Sequence, residues 1–121
     1  MNLHKQKIGA IGERIAYKFL LEKGYEIIAK NFRTKWGELD IIAKIRNKLF
    51  FVEVKTRVGY EKGRPYEAIN LRKLCHLKKA ITYYLLINKL KEYKLSLDVI
   101  GIVLDDQLMP IEIKHYESLI L

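Results

Sequence analysis

An α/β sandwich with a mixed sheet is the fold class this sequence predicts, and three observations predict it. Two long segments carry apolar residues at helical spacing, Lys5 to Lys23 and about Tyr66 to Tyr93. Other segments alternate apolar and polar side chains with period two, as half-buried strands do. The two kinds alternate along the chain in the order αβββαβ with one extra strand, so helices and sheet must share one core.

The first helix places Ile8, Ile11, Ile15, Phe19 and Leu20 on one face, and Gly24 supplies its stop. Tyr25 to Phe32 reads as the first strand, followed by a turn near Lys35-Trp36-Gly37. Two apolar runs come next, Gly37-Glu38-Leu39-Asp40-Ile41-Ile42 and Phe51-Val52-Glu53-Val54-Lys55-Thr56-Arg57, joined by a short basic spacer around Arg46-Asn47-Lys48. That spacing predicts an antiparallel hairpin turning near Asn47. Val58 to Pro65 holds two glycines and a proline and reads as a loop. The second helix has Ile69, Leu74, Leu77, Ile81, Tyr84 and Leu85 as its apolar stripe. Leu95 to Leu104 reads as a strand, Asp105-Asp106-Gln107 as a turn, and Ile111 to Tyr116 as a last strand.

Chemistry concentrates in the hairpin. Alternation puts Glu38 and Asp40 on one strand face and Glu53 and Lys55 on another, with Leu39, Ile41, Val52 and Val54 pointing away. With the turn near Asn47 the two polar faces lie side by side. Carboxylates among Ile, Val and Phe need their charge compensated. A divalent cation held by Asp40 and Glu53, with Lys55 beside it, compensates the charge and also makes chemistry. Mg2+ or Mn2+ is the expected ion, since such cations take oxygen ligands. The structural alternative pairs these acids with Lys44, Lys48 or Arg57, but it explains no shared face. Lys55 would orient or help deprotonate a water, or hold charge on a phosphate.

Composition bounds the partner. The chain has 121 residues, enough for one domain over 1–121, and a formal charge of +9. That charge favours a polyanion, nucleic acid first and an anionic membrane surface second, against the plainer reading of solvated lysine faces. Cys75 stands alone, so neither a disulfide framework nor a Cys-based zinc cluster is available. The N-terminus shows no hydrophobic signal core, and the longest uncharged stretch, Ala80 to Asn88, is too short to span a bilayer. The expectation is a cytoplasmic protein that does not enter membranes.

These residues also carry a resemblance. Gly9, Gly12, Glu13 and Ala16, then Asn31, Arg33, Gly37, Glu38 and Asp40, then Phe51 to Lys55 with Arg57, and finally Lys73 form an ordered set. The set resembles the bacterial UPF0102 (YraN-like) family, a branch of the PD-(D/E)xK nuclease superfamily that includes archaeal Holliday-junction resolvases. E-x-K alone is weak; the ordered set, from Gly9 to about Val103, is specific. The late strand departs from the family's usual R-F-D, reading Ser96-Leu97-Asp98.

The resemblance implies a restriction-endonuclease-like three-layer sandwich with an αβββαβ core and a metal-dependent endonuclease for branched or non-standard DNA. It implies catalytic roles for Asp40, Glu53, Lys55 and Glu13, the last reaching the metal from the first helix, and a further ligand in the Val54 carbonyl. Glu38 has no place in the minimal motif; it would bind a second metal or adjust charge near Asp40. Two glycines on one face of the first helix suggest close approach of a backbone or a substrate. Arg33, Arg57, Lys62, Arg64 and Lys73 are the expected phosphate contacts, forming a basic rim. Trp36, Tyr60 and Tyr66 could stack on unpaired bases or simply pack. The apolar stripe of the first helix could equally be a homodimer face, since related resolvases are dimers. His4, His76 and His115 show no ligand spacing and receive no role. The alternative function is a nucleic-acid-binding accessory protein with a latent or non-catalytic site.

Overall fold

In the computed structural model, which describes residues 3–119, two helices lie on opposite faces of one five-stranded sheet. Helix α1 (Leu3–Glu22) closes where Gly24 takes φ 92° and the Tyr25 N–H returns to the Leu20 carbonyl at 3.0 Å. Strands β1 (Glu26–Thr34), β2 (Gly37–Ile45) and β3 (Lys48–Val58) form an antiparallel meander. A 3-10 turn (Pro65–Ala68) and helix α2 (Leu71–Ile87) then cross over to β4 (Lys94–Leu104), which runs parallel to β3. The last strand, β5 (Pro110–Leu119), returns antiparallel along β4, so spatial order follows chain order. The mixed sheet and α/β class are those expected from the pattern.

Period-two alternation decides which helix each strand residue meets. Phe50, Val52 and Val54 join Ile100, Ile102 and Leu104 beneath Ala16 and Leu20 of α1. Leu49, Phe51 and Leu97 face the other way, against Leu77, Ala80, Ile81 and Tyr84 of α2. Ile8, Ile11, Ile15 and Phe19 pack on the first of these clusters, so the α1 stripe faces the core. Among the described residues, no helix is long and apolar enough to cross a membrane.

Three expectations need correction. The helix expected from about Tyr66 to Tyr93 is two pieces, because Asn70 adopts an extended backbone and its side chain accepts the Lys73 N–H at 2.9 Å. That cap starts α2 at Leu71, and the backbone leaves the helix at Asn88, where Lys89 takes φ 54°. The strands also extend past their expected ends, β1 to Thr34 and β5 to Leu119. Finally, Leu39 does not share a face with Ile41: it packs in the α2-side cluster, whereas Ile41 lies on the α1 side. The opposing strand explains this. Asn31 has φ 53° and reverses the alternation between Lys30, which sits 4.3 Å over the Tyr17 ring of α1, and Phe32, which pairs with Leu39. The hairpin turn falls where the spacer places it, at Arg46-Asn47, with Ile45 opposite Lys48.

Candidate metal centre

The β2–β3 ladder ends at Ile41 opposite Val52, and the next residues on the two strands are Asp40 and Glu53. Asp40 Oδ2 accepts the Val54 N–H at 2.8 Å, so its carboxyl lies across the gap between strands. Burial foremost, then the nearby Glu53 charge, pushes the Asp40 pKa up to about 8; the Val54 hydrogen bond opposes this and the Glu13 charge adds to it. Burial and the neighbouring carboxylates thus act together to favour the protonated form of Asp40.

Two further carboxylates converge on Asp40. Oxygens of Glu13, Glu38 and Asp40 lie within 4.8 Å of one another. Glu13 arrives because α1 presses against β3: a Cβ built on Gly12 would run into the Thr56 side chain. Only glycine admits that approach, as the two-glycine pattern suggests for Gly12. Gly9 has open space above it instead and lines a cavity. Asn31 ties the acids together, donating through Nδ2 to Glu13 Oε1 at 2.7 Å and to Glu38 Oε1 at 2.9 Å. Its positive φ is part of the backbone reversal at the same residue.

Glu53 neighbours Asp40 but is not one of the three converging carboxylates. It is only 4 % exposed, and its Oε2 meets Lys73 Nζ at 3.1 Å. Its Oε1 is buried and has no hydrogen-bond partner. An orphaned carboxylate oxygen beside a proton-retaining aspartate, with an all-oxygen donor set nearby, fits a hard divalent cation. Glu13, Glu38, Asp40 and Glu53 could hold one; the donor chemistry suits Mg2+ or Mn2+ without choosing between them.

The basic residues divide by position. Lys55, Arg57 and Lys62 line a cavity of about 610 Å3 between the first half of α1 and the end of β3, with Glu13 on its wall. Arg57 Nε is buried there without a partner. Lys55 makes no ion pair among the described residues; the lysine that meets Glu53 is Lys73, at the start of α2. Arg33 Nε lies 3.4 Å from Glu38 Oε2, with the arginine side chain exposed. Arg64 turns away from the acids and binds Glu112 through Nη1 at 3.0 and 2.9 Å, beside Tyr60, whose hydroxyl also reaches Glu112. Tyr66 stacks on Tyr116 at 4.4 Å, so this loop is fastened to β5.

A second polar cluster was not anticipated from the sequence. Asp98 is wholly buried on β4, yet four groups serve it: Ser96 Oγ at 2.5 Å, the Ser118 N–H at 3.1 Å, His115 Nε2 at 2.7 Å and, through Ser96, the Ser118 hydroxyl at 3.4 Å. Burial opposes its ionisation, but the hydrogen bonds from His115, Ser96 and Ser118 outweigh that and hold its carboxyl below the usual range. Ser96, standing where the resembling family usually has arginine, thus donates to the aspartate, and His115 supplies the partner from β5. The available signal was an aspartate inside an otherwise apolar strand, which needs donors from somewhere.

The fold and the site together define an α/β protein with a mixed five-stranded sheet and an acidic cluster able to hold a metal ion. Residues 12–102 match the model of the family described as "Uncharacterised protein family UPF0102". The chain belongs to the UPF0102 family. It is 42% identical over 115 residues to a UPF0102 protein of Alkaliphilus oremlandii, covering 93% of this chain and 97% of that one. A UPF0102 protein of Caldanaerobacter subterraneus subsp. tengcongensis is 37% identical over 110 residues, covering 91% and 90%. One from Thermodesulfovibrio yellowstonii is 46% identical over 96 residues, covering 79% and 85%.

Proposed function

We propose that this protein is a metal-dependent endonuclease of the PD-(D/E)xK type, hydrolysing phosphodiesters in branched or otherwise non-standard DNA. The observation that carries the reading is the convergence of Glu13, Glu38 and Asp40 within 4.8 Å, with Glu13 also lining a cavity walled by Lys55, Arg57 and Lys62. Acids that repel one another need a cation, and a basic cavity beside them needs an anion. A phosphodiester with its metal satisfies both.

In this reading Asp40, Glu13 and Glu53 hold the cation, and Glu38 holds it directly or adjusts the charge. A bound Mg2+ or Mn2+ would lower the pKa of a water and offset charge building on the phosphate. Arg57 and Lys62 hold flanking phosphates, fixing register without reading sequence. Lys55 orients the attacking water or binds the phosphoryl oxygens as a point charge. Water oxygen forms its bond to phosphorus as the bond to the opposite ester oxygen breaks; the proton that the attacking water loses passes to solvent, and the departing alkoxide takes one up from solvent. Among the described residues no separate sequence-reading element accompanies the site, which favours recognition of DNA shape.

One observation favours a second reading, a nucleic-acid-binding accessory protein with a latent site: Lys73 already neutralises Glu53. Turnover separates the two, whereas binding does not. The test is purified protein with Mg2+ or Mn2+ against linear, flapped and four-way DNA and RNA. Metal-dependent cleavage of a branched or flapped substrate supports the nuclease; no cleavage of any substrate gives the case to the accessory protein.

A further inference from the structure

Helix α2 carries Arg72, Lys73, Lys78 and Lys79 and not one acid between Leu71 and Ile87. Its inner stripe is occupied by the core, yet its outer face is not an ordinary solvated surface. Tyr83 is 40 % exposed and Leu86 72 % exposed. Both border a notch of about 260 Å3 whose other walls are Trp36, Thr82, Lys78 and Lys79. The Trp36 and Tyr83 rings meet nearly edge to face at 6.0 Å, and Lys35 Nζ lies 4.9 Å from the Trp36 ring centre.

Aromatic rings ringed by cations, with no acid in the lining, suit a ligand having a flat apolar face and an anionic backbone. A nucleobase with its phosphate is such a ligand: the ring stacks and the lysines meet the phosphates. The notch is an open recess of about 260 Å3 beside the Trp36 and Tyr83 rings and the two lysines, which leaves room for a single inserted ring. Its place in the fold gives the same direction. Trp36 belongs to the β1–β2 turn, and Glu38 of the acidic trio follows two residues later, within about 7 Å along the chain. Asn31, which donates to Glu13 and Glu38, and the β1–β2 turn that carries Trp36 therefore lie close together along the chain.

We propose that the Trp36–Tyr83 notch is a nucleobase-binding site that takes one unpaired base of a single-stranded DNA segment, with Lys35, Lys78 and Lys79 on its phosphates. It deepens the nuclease reading by assigning the substrate a single-stranded portion next to the site, and it rests on that reading only for the link to cleavage. The occupant itself follows from the notch.

Trp36 is the only tryptophan in the chain, so its fluorescence reports on the notch directly. The experiment titrates the full chain, in EDTA so that no cleavage occurs, with a thymidine homopolymer and with duplex DNA of equal length. Saturable quenching by the single strand, much weaker with duplex, is the expected result. Tyr83→Ala should weaken single-strand binding about tenfold and Tyr83→Phe should restore it, since a ring is what the base needs. Lys78→Ala with Lys79→Ala should lower the salt slope by about two contacts. Circular dichroism establishes that each variant is folded, and the exposed position of Tyr83 favours that. Absence of quenching overturns the proposal, as does unchanged affinity in folded Tyr83→Ala. A fluorescence shift on phosphatidylglycerol vesicles without quenching by DNA would make the face a membrane contact. Concentration-dependent dimerisation abolished by Tyr83→Ala would make it a contact between copies. Quenching that persists when no substrate is cleaved removes the nuclease reading alone, and cleavage without quenching removes this proposal alone.

Discussion

Lys73 Nζ lies 3.1 Å from Glu53 Oε2, joining the first turn of α2 to the buried acid of β3. Glu53 has a second oxygen with no partner, and Asp40 beside it retains its proton to about pH 8. The acidic centre is therefore divided. One half is neutralised by a lysine and the other by protonation, and a divalent cation could replace both.

Lys73→Met tests this arrangement. Without metal the variant leaves Glu53 buried and uncompensated, which should cost about 1–3 kcal/mol of stability. Mn2+ should then raise the melting temperature more in the variant than in the wild type. Equal stabilisation of the two proteins would place Glu53 outside the cation's reach.

The raised pKa of Asp40 sets a pH dependence. Between the ordinary carboxylate range and about pH 8, the folded protein binds a proton that the unfolded chain has released, so stability of the metal-free protein should fall as pH rises through that window. Thermal unfolding in EDTA from pH 5 to pH 8 measures it. Asp40→Asn should flatten the curve and, by removing a ligand charge without much change of volume, abolish Mn2+ binding in calorimetry. An unchanged Mn2+ affinity in that variant would rule out the centre.

Lys55 and Lys62 should separate chemistry from binding, because both line the cavity but only Lys55 follows the Glu53 position on β3. Lys55→Ala should lower single-turnover cleavage about a hundredfold with little change in affinity. Lys62→Ala should weaken binding on all sequences, reduce the salt slope by about one and leave the saturated rate intact. Arg64→Ala is expected to loosen the loop at Glu112 before it affects any DNA contact. Undiminished cleavage by Lys55→Ala would end its catalytic assignment.

His115→Ala removes a donor from a wholly buried carboxylate and should destabilise the fold by about 3 kcal/mol in urea unfolding. Because Asp98 ionises below the usual range, its contribution is present above that range and is lost as pH falls through the lowered value. Asp98→Asn should accordingly blunt the steepest part of acid unfolding. A loss confined to a few tenths of a kcal/mol in His115→Ala would mean that Ser96 and the Ser118 N–H satisfy Asp98 without it.

Much of this protein is determined by local sequence. Alternation over Ile41 to Ile45 and Leu49 to Val54 specifies a hairpin, and the short basic spacer places its turn at Arg46-Asn47. The glycine at 12 signals the close approach that α1 makes to Thr56, whereas Gly9 meets open space. The alternating carboxylates of the hairpin signal the centre by spacing, and Glu13 joins them as the resemblance implies. Other features are decided by contacts between segments distant in the chain. Leu39 changes face because Asn31 on the neighbouring strand has φ 53°, and no periodicity within β2 carries that information. Lys73 reaches Glu53 only because the α2 crossover returns its first turn over β3. His115 has no meaning by spacing; β5 pairing brings it to Asp98, and a buried charge must find its donors wherever the sheet supplies them. Strand and helix periods act over a few residues, so sequence determines elements and the acids they bear. Charge pairing in the interior acts through space, so only the tertiary structure decides which cation each acid meets.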